Sequence, residues 1–160
     1  MRVVDGNLTT LVPGHIDGTI EADGALHVID FKSINTRGFA RLATDGVSYE
    51  YRCQLTAYME AAALRMWALV VYMDKNTQHL AEYRVDYDAA LVDEIRRGFM
   101  RVLRSAPDAL PEREYAAVPE AVRKRATGRW VLPWQCGYCA WKRPCWGVDE
   151  PAELDRKSVV

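Results

Sequence analysis

The longest uninterrupted apolar stretch in the sequence is the eight-residue run Met66–Met73. A membrane span needs about 18 such residues, so this run excludes a spanning segment here, and its Trp, Val and Tyr content reads as a β-strand. The polar hexapeptide Asp74-Lys75-Asn76-Thr77-Gln78-His79 joins it to a second β-rich run, Leu80–Tyr87, which predicts a hairpin. An earlier hairpin is expected from Leu11–Ile20 and Leu26–Phe31, with Asp23-Gly24 as the turn. From Ser33 to about Ser48 the chain reads as a polar, glycine-containing loop. Tyr51, Leu55, Tyr58, Met59 and Ala62 then fall at helical spacing within Tyr49–Arg65, and Asp88 is placed to cap a second helix running to about Ser105. The order is hairpin, helix, hairpin, helix.

At 160 residues, the chain has room for one domain and a small appendage, and 49% hydrophobic with 27% charged residues is a globular composition. The start, Met1-Arg2-Val3-Val4-Asp5, lacks the apolar region of a signal peptide, so the chain is expected to be cytoplasmic with no membrane partner. Pro107, Pro111 and Pro119 mark a change of composition, predicting a core over residues 1–106 and a tail over 107–160. The net charge is only −1, yet Ala121–Val148 holds Arg123, Lys124, Arg125, Arg129, Lys142 and Arg143 with no acidic residue. That stretch carries +6 and the remainder −7. It also contains Trp130, Trp134, Trp141 and Trp146. Such a stretch can follow a phosphate backbone and stack on bases, which makes Arg123, Lys124, Arg125, Arg129 and Trp134 candidate nucleic-acid contacts. It equally suits tryptophans packing a small cysteine-centred subdomain.

Strand side chains alternate, so His15 and Asp17 are expected to share one face of the first strand and Asp30 and Lys32 one face of the second. If the hairpin aligns those faces, Asp17 and Asp30 converge beside Lys32, and the backbone carbonyl of Phe31 adds a neutral oxygen. Hard oxygen donors of this kind suit Mg²⁺ or Mn²⁺. The metal would polarise a phosphate and acidify water, while Lys32 orients or deprotonates water or offsets charge in the transition state. Asp-x-Lys is a common triplet, and an exposed strand pair with Asp17 capping a turn reads the same residues differently. The helix adds weight to the chemical reading, because Gln54 and Tyr58 stand at i and i+4 on one face, where both polar tips can reach a phosphate or support the lysine.

Gly14-His15-Ile16-Asp17, Val28-Ile29-Asp30-Phe31-Lys32 and Gln54-x-x-x-Tyr58 together resemble the PD-(D/E)XK nuclease superfamily, and the Gln-x-x-x-Tyr element resembles its RecB-like branch. The resemblance implies an α/β, restriction-endonuclease-like core, a mixed central sheet flanked by helices, with a small C-terminal cysteine-cluster subdomain. It implies Asp17 and Asp30 as metal ligands, Lys32 as the catalytic lysine, and Gln54 and Tyr58 as DNA-facing supports. The implied activity is a Mg²⁺- or Mn²⁺-dependent deoxyribonuclease, an exonuclease on single strands or DNA ends.

Without a secretory signal, four cysteines point to metal ligation rather than disulfides. Cys136-x-x-Cys139 and Cys145 lack the second pair a zinc ribbon needs, although Zn²⁺ stays open. The spacing is similar to that of the iron-sulfur RecB-like nucleases, among them the AddB nuclease domain and CRISPR-associated RecB-like exonucleases, in which four thiolates hold a [4Fe-4S] cluster. In that family a fourth cysteine and a histidine come from a segment before the first motif, and only about a dozen residues precede Gly14. The expectation is a short or truncated member, a protein partner that supplies the segment, or substitution from within the chain. Cys53 is then the fourth thiol or a small buried apolar residue, and His15 a metal contact or a supporting donor. Two rivals carry no catalysis: a silent DNA-binding or assembly subunit, and a zinc-stabilised nucleic-acid-binding module.

Overall fold

The computed structural model describes residues 1–5, 8–106, 108–109, 111–113, 115–137, 139 and 142–146; Trp141 of the basic stretch lies outside them. The chain divides into two compact units, Met1–Ala106 and Pro107–Val160.

The first unit begins with an antiparallel pair, β1 (Arg2–Asp5) and β2 (Leu8–Leu11). Its open end is closed by the Met1 ammonium donating to the Val12 carbonyl and the Val12 N–H donating to the Met1 carbonyl, both at 2.9 Å. The main sheet has the order β3 (Gly18–Ala22), β4 (Ala25–Ile34), β5 (Trp67–Asp74), β6 (Leu80–Asp86). The β3–β4 and β5–β6 pairs are antiparallel hairpins and β4–β5 is parallel, so the sheet is mixed. The crossover a parallel pair requires carries α1 (Thr36–Asp45) and α2 (Tyr49–Ala62), and α3 (Ala89–Arg104) follows β6. This is the α/β architecture expected of a restriction-endonuclease-like core.

Local chemistry sets these boundaries. Asn35, Ser48 and Asp88 cap α1, α2 and α3, each side-chain oxygen accepting an N–H three residues on, from Gly38, Tyr51 and Leu91. Asp23 and Gly24 both take positive φ, 53° and 73°, in the two-residue β3–β4 turn, a conformation that Asp-Gly adopts readily. The Asp74 carboxylate closes the β5–β6 turn. It accepts from the Asn76 N–H (2.9 Å), the Thr77 hydroxyl (2.8 Å) and the Thr36 hydroxyl at the start of α1 (3.0 Å).

Alternation along β4 places Val28, Asp30, Lys32 and Ile34 on one face. Val28 and Ile34 pack there with Leu42 of α1, Leu55 and Met59 of α2, Ala68, Val70 and Tyr72 of β5, and Val85 of β6. The helices therefore cover this face and carry Asp30 into the interior at 2% exposure, whereas Phe31 on the other face is 58% exposed.

Two expectations are corrected. Residues 12–17 form no strand, so His15 and Asp17 are not strand neighbours on one face; β3 starts only at Gly18. Pro13 cannot donate to a ladder, and the Phe31 N–H is taken by the Asp17 side chain instead of by strand backbone. The supposed loop Ser33–Ser48 contains the end of β4 and the ten-residue helix α1.

The second unit holds an antiparallel hairpin, β7 (Val118–Val122) and β8 (Arg125–Val131), then two short helices, α4 (Trp134–Gly137) and α5 (Lys142–Trp146). The Arg113 guanidinium lies 4.3 Å from the centroid of the Trp146 ring. Among the described residues no helix is long and apolar enough to cross a membrane.

Candidate active site

The register Gly18↔Ile29 sets Asp17 beside Asp30 at the point where β3 begins. There the Phe31 N–H donates to Asp17 Oδ2 at 2.8 Å, fixing the exposed Asp17 carboxylate against β4. Asp30 Oδ2 lies 2.7 Å from Lys32 Nζ, an ion pair between two side chains that share the helix-covered face. Beyond that ammonium, the buried oxygen has no hydrogen-bond partner among the described residues. A buried carboxylate oxygen with one ammonium beside it keeps coordination capacity that the protein does not use.

α2 walls the site. Tyr51, Gln54 and Tyr58 stand at i, i+3 and i+7, one stripe of the helix. The Lys32 ammonium sits 4.9 Å from the centroid of the Tyr51 ring, a cation–π contact that helps hold the amine in place. Gln54 Nε2 donates to the Tyr58 hydroxyl at 3.0 Å, so these two are tied to each other. Gly14 meets the Tyr58 ring closely: a Cβ at Gly14 would lie 2.9 Å from Tyr58 Cε1. The absent side chain lets the segment leading to Asp17 run against the tyrosine.

Sequence reasoning missed Tyr51 and Tyr72 as site residues. Tyr51 was legible as the residue three before Gln54 on the same helix face. Tyr72 pairs with Lys32 in the parallel ladder, and its hydroxyl is buried with no partner among the described residues. Burial, together with the negative charge of Asp30 and the neighbouring Tyr51, pushes its pKa up to about 12. It stays protonated and able to donate.

Asp17, Asp30, Phe31 and Lys32 are thus brought together, with Gln54 and Tyr58 on the adjoining helix. Hard cations fit this set: two carboxylates, one of them buried with only the Lys32 ammonium beside it, and the Phe31 backbone as a neutral neighbour. His15 is exposed and has no hydrogen-bond partner among the described residues.

The cysteines differ. Cys136 and Cys145 are half-buried in α4 and α5, Cys139 is exposed between them, and all are free thiols. Among the described residues no group of three or more His, Cys, Asp or Glu side chains is arranged to hold a metal ion. Cys53 is half-buried on α2, and burial pushes its thiol pKa up. Arg123, Lys124, Arg125 and Arg129 lie on the β7–β8 hairpin, and Trp134 opens α4 at 67% exposure.

No curated protein matches the chain. Among solved structures, the crystal structure of SSO0001 is similar with a TM-score of 0.52 at 18% identity over 96% of this chain. That likeness concerns the fold, and the chain spans 58% of the length of that protein. The model of the PD-(D/E)XK nuclease superfamily matches residues 4–146, a span that contains both carboxylates, the lysine and the Gln54–Tyr58 pair. The chain belongs to the PD-(D/E)XK nuclease superfamily.

Proposed function

We propose that the protein is a metal-dependent nuclease that hydrolyses DNA phosphodiester bonds, with Asp17 and Asp30 as metal ligands and Lys32 as the catalytic lysine. The observation that carries this reading is the buried Asp30 carboxylate, whose Oδ2 is paired at 2.7 Å with the Lys32 ammonium and takes no other hydrogen bond among the described residues. When bound, Mg²⁺ or Mn²⁺ polarises the phosphate and lowers the pKa of water. Asp17, held by the Phe31 N–H, and Asp30 would hold it, with the Phe31 carbonyl as the neutral donor. Lys32, held by Asp30 and the Tyr51 ring, offers its ammonium protons to a phosphate oxygen and offsets the charge that gathers as water adds to phosphorus and one bridging P–O bond breaks. Gln54 and Tyr58 orient the phosphate from α2.

The finer reading, an exonuclease of the RecB-like branch acting on single strands or ends, rests on the Gln-x-x-x-Tyr element. The [4Fe-4S] cluster implied by the same resemblance for Cys136, Cys139, Cys145 and Cys53 carries no step here; iron and zinc analysis of anaerobically purified protein decides between it, Zn²⁺ and neither.

The test is digestion of linear single-stranded, linear duplex and closed circular DNA with and without Mg²⁺. Asp30→Asn removes a metal ligand, and at about 4 kcal/mol of lost stabilisation the rate should fall ~10³-fold. Cleavage of linear but not circular DNA supports the exonuclease reading. Parental cleavage by Asp30→Asn would sink the site assignment, and metal-independent binding without any cleavage would favour the silent subunit.

A further inference from the structure

We infer that the β7–β8 hairpin is a cationic ribbon that enters a groove of duplex DNA, an inference that rests on the reading of the chain as acting on DNA. The closing pair Val122↔Arg125 leaves Arg123 and Lys124 as the two central residues of the turn, with φ of 50° and 67°. Both lie in the left-handed region, where a two-residue hairpin turn favours Asn-Gly or Asp-Gly and a Cβ is strained. At another two-residue turn among the described residues, between β3 and β4, the same chain places Asp23-Gly24. Two long cations at a tip where small residues fit best make sense when the cations have work to do there.

The rest of the ribbon agrees. Among the described residues no carboxylate forms an ion pair with Arg123, Lys124, Arg125 or Arg129. The one acidic residue of the hairpin, Glu120, accepts instead from the Thr127 hydroxyl at 2.7 Å. Arg125 and Arg129 stand four residues apart on β8, on either side of Gly128, whose φ of 79° falls where the pairing register with β7 shifts. Every residue from Ala121 to Trp130 is exposed, and a two-stranded hairpin with both faces in water is marginal without a partner. A positive ribbon with a positive tip calls for a polyanion, and a two-stranded ribbon fits the major groove, which is about 12 Å wide. A single strand would call for a row of aromatic platforms, whereas the hairpin carries one aromatic residue, Trp130.

The experiment measures affinity of the full chain for a short blunt duplex and the matching single strand by fluorescence anisotropy, in chelator without divalent cations, over a salt series. Two double variants are compared with the parent: Arg123→Asn with Lys124→Gly, and Arg125→Gln with Arg129→Gln. The first makes the turn the relaxed type, so its thermal stability should match or exceed the parent's. Each pair that loses two phosphate contacts should flatten the log–log salt slope on duplex by about 1.8 and weaken binding ~10–100-fold at 0.1 M salt. The single strand should show less than half that loss. Duplex affinity and slope unchanged in a stable Arg123→Asn, Lys124→Gly protein would overturn the ribbon, and equal losses on both substrates would overturn the groove. Because binding is read without metal, a failed digestion assay bears on the nuclease reading and leaves this result standing.

Discussion

At Gly14 a single hydrogen atom in place of a methyl group decides whether the tyrosine of the site can sit where it does. A Cβ 2.9 Å from the Tyr58 ring is closer than packed carbons tolerate, so Gly14→Ala must displace either the ring, which holds Gln54, or the segment leading to Asp17. We expect a loss of about 1–3 kcal/mol in chemical denaturation, as for other overpacked sites, together with reduced cleavage. Tyr72→Phe makes the opposite case. Its buried hydroxyl has no partner among the described residues, and removing it should leave stability unchanged or raise it by up to ~1 kcal/mol. A fall in cleavage without a fall in stability would show that the hydroxyl donates to substrate. Asp30 and Lys32 were legible in the sequence because strand alternation is local. Asp17 was found for the wrong local reason, since it reaches the site through its side chain on the Phe31 N–H and not as a strand residue. Tyr72 was not legible, because its place opposite Lys32 depends on a pairing between strands some forty residues apart.

Between elements, Glu60 is the principal polar tie. From α2 it accepts from Arg65 (2.7 and 3.2 Å), from Arg96 of α3 (2.6 Å) and from the Tyr87 hydroxyl just past β6 (2.8 Å). Arg65 above all, with Tyr87 and Arg96, brings its pKa down from 4.5 to about 2. A depressed carboxylate pKa means the unfolded chain takes up the proton first as pH falls. The stabilisation from Glu60 is therefore complete above about pH 4.5 and is lost progressively toward pH 2. Glu60→Gln should cost about 2 kcal/mol at neutral pH and flatten the acid limb of a stability–pH curve measured by denaturant titration; an unchanged acid limb would remove Glu60 from that role. The helix that carries Glu60 was legible from its spacing, and α3 from Asp88. α1 was not, since Thr36–Asp45 offers only Phe39 and Leu42 as large apolar anchors among Gly38 and five polar or charged residues, and Asn35 as its sole start signal. A helix that short takes its stability from packing Leu42 into the core rather than from its own sequence.

At the scale of the whole chain, the parallel pairing of β4 with β5 sets Tyr72 against Lys32; no local residue pattern encodes which strands become neighbours, and only the family resemblance implied a mixed sheet. Charge at this scale also falls differently from what the linear stretch suggested. Residues 1–106 carry only −2, and most of the −7 outside Ala121–Val148 flanks that stretch within residues 107–160. The Met1–Ala106 unit is therefore close to neutral, holds the hydrophobic cluster and contains every residue proposed for cleavage. We propose that it folds and cuts by itself. A chain ending at Ala106 should unfold in one cooperative transition and retain metal-dependent cleavage with kcat within about tenfold of the parent. Its KM for DNA should rise, because uniform binding supplied from residues 107–160 is lost while interactions made only in the transition state are kept. Steady-state cleavage of a short oligonucleotide across substrate concentrations separates the two parameters. A folded Met1–Ala106 protein with parental KM and collapsed kcat would place essential chemistry in residues 107–160, and an unfolded one would make the second unit part of the first unit's stability.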